Sequence, residues 1–136
     1  MGYRLLEHTA DLGLEARGDS LQAALDQAVA ALAAVLAGDH RVLGTEQQPV
    51  LIPASDLEAQ VVALLDECLF RVEVHGWIAS GATIERDAAG QLVGQLEGEP
   101  FDPSRHDGTA IKAITWHQLA VREDSSGCTI TVYVDC

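Results

Sequence analysis

The apolar residues of this chain change their period at Trp77. Before it, two segments carry them at helical spacing; after it they recur at every second position, the period of a strand. In the first segment Asp19-Ser20 precedes Leu21, Leu25, Ala28, Leu32 and Leu36, and Gly38 is placed to end the helix. The pairs Ala30-Ala31 and Ala33-Ala34 give that helix a small-residue surface able to lie close on a sheet. In the second, Pro53 is followed by Ser55-Asp56-Leu57-Glu58, where the Ser55 hydroxyl and the Glu58 carboxylate are expected to cap each other's main-chain amides. Leu57, Val61, Leu64, Leu65, Cys68, Leu69 and Val72 then share one face, and Gly76 can close the helix. Cys68 reads as a small core residue on that face.

Beyond Trp77, residues 82–86 and 91–96 flank Asp87-Ala88-Ala89-Gly90, a small polar tetrapeptide suited to a hairpin turn. Pro100, Asp102 and Pro103 mark a loop, after which two long strands are expected near residues 110–122 and 128–135. In the last strand Ile130, Val132 and Val134 point one way, and Thr129, Thr131, Tyr133 and Asp135 the other. Two further strand-like pieces, residues 3–6 and 12–16, open the chain. The expected fold is α+β: a mostly antiparallel β-sheet with two helices packed on one face. With 136 residues, one domain spanning 1–136 is expected.

Eight Lys and Arg stand against twenty-one Asp and Glu, a formal net charge of −13, and the cations are scattered. Direct binding to RNA or DNA is therefore not expected, because such affinity rests largely on Lys and Arg displacing counterions from phosphates. Cations and basic proteins are better partners. The three cysteines, Cys68, Cys128 and Cys136, form no Cys-x-x-Cys pair, which argues against a zinc ribbon or a disulfide framework and for a reducing compartment. No apolar run approaches the ~18 residues of a membrane span, and no apolar signal core follows Met1-Gly2-Tyr3-Arg4. The expectation is a cytoplasmic protein without a membrane partner, of open oligomeric state.

Candidate chemistry lies at strand ends, where a rigid sheet can bring distant positions together. Asp11 precedes one strand and Asp135 ends the last; if the two strands are antiparallel neighbours, their carboxylates meet. Two carboxylates at one place repel unless a divalent cation sits between them with main-chain and water oxygens completing its shell. The plainer alternative is that Asp11 is a turn residue accepting main-chain hydrogen bonds and Asp135 a solvated charge. His8 and His117 are candidate ligands or acid–base groups, or simply hydrogen-bonding residues. Lys112 interrupts the apolar stretch Ala110-Ile111-Lys112-Ala113-Ile114 and must reach water or meet an acid. The chain carries no Gly-rich phosphate loop and no Gly-x-Ser-x-Gly elbow.

The opening Leu6-Glu7-His8-Thr9-Ala10-Asp11-Leu12-Gly13-Leu14, the following Ala16-x-Gly18-x-Ser20-Leu21, and the closing Ile111-Lys112-Ala113-Ile114-Thr115-Trp116-His117 and Val132-Tyr133-Val134-Asp135 resemble the archease family over nearly the whole chain. The resemblance implies an activator of the RNA ligase RtcB, which seals RNA ends in tRNA splicing and RNA repair. Such an activator is not itself an enzyme; it promotes guanylylation of the ligase and so permits multiple turnover. Carried over by position, the resemblance implies a divalent cation, calcium foremost with magnesium or manganese as alternatives, held by Asp11, Asp135 and an oxygen of Cys136. It makes Lys112 a functional position. Trp116 stands where the family usually has Tyr, and Cys136 where Val or Ile is common. RNA would be reached only indirectly, through the ligase. Two other readings compete: a metal-dependent phosphoesterase built on Asp11, Asp135 and His8, and an acidic chaperone or interaction module without metal.

Overall fold

The computed structural model describes residues 2–7 and 11–136. Its elements run β1 (Gly2–Glu7), β2 (Asp11–Gly18), α1 (Leu21–Ala37), β3 (Glu46–Ile52), α2 (Leu57–His75), β4 (Trp77–Arg86), β5 (Leu92–Pro100), β6 (Ala113–Asp124) and β7 (Gly127–Asp135). The strands divide into two antiparallel sheets, one ordered β1-β2-β7-β6 and the other β3-β5-β4. Helix α1 lies against β2 and β4, one strand from each sheet, while α2 packs on β6, β4 and β3. The α+β architecture read from the periods is present, with its strands parted into two sheets bridged by helices.

One contiguous core joins these layers. Leu14 and Ala16 of β2, Ile130, Val132 and Val134 of β7, Leu25 and Leu32 of α1, and Leu64 and Leu65 of α2 are all buried in it. Cys68 is buried there too, and desolvation pushes its thiol up to about 12, so it behaves as an inert core side chain.

Helix α1 begins where the Ser20 hydroxyl accepts from the Ala23 N–H at 3.2 Å. Its other end borrows from the loop after β5. The N–H groups of Gly108 and Thr109 donate to the Leu36 and Val35 carbonyls at 3.1 and 2.8 Å, satisfying acceptors that a helix end leaves open. Strand β6 starts at Ala113 and not near residue 110, because Ala113 already pairs with Asp135, the last residue of β7.

The start of α2 departs from expectation by one residue. Asp56 is the N-cap, its carboxylate accepting from the Ala59 N–H at 2.9 Å, whereas the Ser55 hydroxyl donates to the Asp56 carbonyl at 3.3 Å. A carboxylate at this position adds its charge to the helix dipole, an advantage a hydroxyl lacks. Gly76 ends the helix in the left-handed conformation, φ 60° and ψ 40°. The hairpin turn after β4 is held as its composition suggests, Asp87 accepting from Ala89 and Gln91 through its side chain.

Candidate functional site

Strands β2 and β7 are antiparallel neighbours, and Asp11 is the direct register partner of Asp135. Directly opposed residues of an antiparallel pair share a face, with Cβ atoms about 5 Å apart. Leu12, Leu14, Val132 and Val134 occupy the core face, so both aspartates project from the opposite one, half-buried. Ala113 of β6 pairs with Asp135 from its other side. Asp135 is thus paired through its main chain on both sides, with β2 and with β6.

Lys112 stands immediately before β6, and its main-chain N–H donates to the Asp135 carbonyl at 2.7 Å. Its side chain is exposed, reaching water as its place in an apolar stretch requires. Cys136 follows Asp135 and packs partly against the core. Burial raises the Cys136 thiol, the carboxylates of Asp135 and Asp11 raise it further, and Lys112 opposes them. Asp11, Asp135 and Lys112 thus all lie close enough to act on Cys136.

His117 belongs to a distortion of the edge strand. From Thr115, paired with Tyr133, β6 advances to Ala120 before it pairs again, with Thr131. The intervening residues loop out, and Gln118 takes φ 53°, the one positive φ at a non-glycine among the described residues. Thr115 organises the distortion: its hydroxyl donates to the Tyr133 carbonyl at 2.9 Å and accepts from the His117 N–H at 3.3 Å. The His117 ring then meets Tyr133 edge-on, centroids 6.0 Å apart at 69°. Tyr133 is buried although it lies on the face away from the core, two positions from Asp135. Trp116, beside His117, is left 59% exposed. The roles of Thr115 and Tyr133 had no sequence signal, since they follow from where the bulge falls. His8 lies outside the described residues.

Among the described residues no three His, Cys, Asp or Glu side chains are gathered to hold a metal ion. A cation at this end of the sheet would rest on the two carboxylates of Asp11 and Asp135, completed by a main-chain oxygen of Cys136 and by water. Such an all-oxygen donor set fits calcium, magnesium or manganese and is a poor match for zinc.

A second charged cluster escaped the sequence reading. Glu99 of β5 is buried, accepting from the Leu43 N–H at 2.7 Å, pairing with Arg105, and facing His106 Nε2 at 3.2 Å. His106 Nδ1 accepts from the Asp102 N–H at 3.0 Å, which places the ring proton on Nε2, aimed at Glu99. Burial raises Glu99, but Leu43, Arg105 and His106 outweigh it and hold its carboxyl below the ordinary range. Every polar group here has a partner within the fold, which marks the cluster as a latch tying the loop after β5 to Leu43.

Among the described residues no helix is long and apolar enough to cross a membrane. Residues 3–136 match the model of the Archease protein family (MTH1598/TM1083). The archease of Methanosarcina mazei is 31% identical over 138 residues, covering 98% of this chain and 94% of that protein. The archease of Pyrococcus furiosus is 28% identical over 125 residues, covering 89% and 88%. The solution structure of Methanobacterium thermoautotrophicum protein 1598 superposes with a TM-score of 0.79, at 24% identity and 99% coverage of both chains. A crystal structure from Thermotoga maritima, described as an archease and possible chaperone, gives 0.65 at 24% identity, covering 96% and 94%. The α+β fold is shared with both structures, and the family match takes in the two strand ends that carry Asp11 and Asp135, so the chain belongs to the archease family.

Proposed function

We propose that this protein is an accessory activator of an RtcB-type RNA ligase in the cytoplasm, promoting guanylylation of the ligase and multiple turnover, with a divalent cation held at Asp11 and Asp135. The observation that carries the reading is the direct pairing of those two carboxylates across β2 and β7. Like charges opposed in a sheet weaken it, so the arrangement makes sense when a cation is bound there. The net charge of −13 supports docking on a basic protein in preference to RNA.

Nucleotidyl transfer depends on positioning and on neutralising phosphate charge. A bound cation would supply that neutralisation. The chain's own residues would do the rest: Asp11 and Asp135 fix the position, Lys112 offers a cationic contact to the ligase or to a phosphate, and the His117–Tyr133 pair buttresses the strand end.

The test is a ligation assay with an RtcB ligase, guanosine triphosphate and a divalent salt, to which the chain is added below stoichiometry. The reading expects single-turnover sealing to become multiple-turnover and the ligase–GMP adduct to appear sooner. Asp11→Asn, Asp135→Asn and Lys112→Ala should each abolish most of that gain. No stimulation, or equal stimulation by all three variants, overturns it; hydrolysis of nitrophenyl phosphate by the chain alone would point instead to the phosphoesterase reading.

A further inference from the structure

A cavity of about 380 Å³ opens between the C-terminal ends of α1 and α2 and the loop after β5. Leu36 comes from α1, Leu69 and Val72 from α2, and Phe101 and Ile111 from the loop; Glu73 stands at the rim. The volume lies in the range that takes an organic ligand or an anchoring side chain. Next to it on α2, one turn apart, Phe70 is 48% exposed and Val74 59%. The only ring against Phe70 among the described residues is His75, met edge-on at 5.3 Å.

Large apolar side chains held in water beside an apolar groove mark a surface that something covers. The surrounding charges say what. Asp66 lies one turn before Phe70 and Glu73 one turn after it, and among the described residues neither carboxylate is paired with a cation. Partial burial already pushes the Asp66 carboxyl up. The neighbouring cation Arg71 is committed elsewhere, to Glu67 at 2.8 Å, Gln48 at 3.0 Å and the Pro49 carbonyl at 3.0 Å. A second copy of this chain would set Asp66 and Glu73 against themselves. Anionic lipid or nucleic acid would meet a net charge of −13.

We propose that the groove and the adjoining Phe70–Val74 face form a docking surface for a basic amphipathic helix of a partner protein. An apolar anchor of that helix enters among Leu36, Leu69, Val72, Phe101 and Ile111. Its neighbours cover Phe70 and Val74, and its Lys or Arg side chains meet Asp66 and Glu73, the helix-in-groove mode with charge complementarity at the rim. Neither Asp11 nor Asp135 lines the groove, and the variants that test it leave both carboxylates in place, so the proposal is tested independently of the cation site.

The probe is a fluorescein-labelled synthetic Leu/Lys peptide with leucines at helical spacing, followed by anisotropy at moderate salt. Saturable binding is expected, weakened about tenfold or more by the double variant Phe70→Ser, Val74→Ser, and likewise by Glu73→Lys. Glu85→Lys, which makes the same charge change at the far end of β4, should leave binding nearly intact. All these side chains are exposed, so circular dichroism should show unchanged folding. Equal binding of a charge-matched Ser/Lys peptide, full binding by the double variant, or an equal effect of Glu85→Lys and Glu73→Lys would each overturn the proposal.

Discussion

The main-chain N–H of Lys112 donates to the Asp135 carbonyl at 2.7 Å, which fixes a cationic residue at the strand end where Asp135 already faces Asp11. The pairing concentrates two negative charges on one face and leaves a flexible positive one nearby.

That arrangement has a measurable cost. At about 5 Å in water-like surroundings two unit charges repel by about 1 kcal/mol. Asp11→Asn and Asp135→Asn should therefore stabilise the protein in chelator by roughly that amount in urea unfolding. Saturating calcium should reverse the order, because a ligand at a hundred times its dissociation constant stabilises the native parent by about 2.7 kcal/mol and the variants much less.

Glu99 gives a pH-dependent prediction. Its folded carboxyl titrates below the ordinary value, so its contribution is present above the unfolded carboxylate range and is lost as pH falls through the folded one. Glu99→Gln removes the charge partnered with Arg105 and His106 and should cost about 2 kcal/mol near neutral pH. The gap between parent and variant in urea unfolding should close on acidification; a gap unchanged by pH would show that the charge of Glu99 is not what matters.

The cap of α2 distinguishes two adjacent residues. Asp56→Ala should lower stability by about 1 kcal/mol, since the Ala59 N–H loses its acceptor, while Ser55→Ala should change it far less. Thermal unfolding of the two single variants checks the order.

Much of this was legible in the chain because its signals are local. The helical stripes, the Gly38 and Gly76 stops and the 87–90 turn each depend on a few consecutive residues. The Asp11–Asp135 meeting also followed from their positions at the ends of strands, once those strands are neighbours. The division into two sheets was not legible, because β3 pairs with β5 across the whole of α2 and β4. Nor was the bulge at residues 116–119, where no glycine marks the positive φ taken by Gln118. The Glu99–His106 latch draws its partners from Leu43 and Asp102, and no spacing pattern announces such a set.

The central claim, an oxygen-donor cation site at Asp11 and Asp135, is tested most directly by calorimetric titration of metal-stripped protein with calcium chloride. One site per chain is predicted, with affinity falling about tenfold or more in both Asp11→Asn and Asp135→Asn. No binding to the parent, or undiminished binding to both variants, would contradict it.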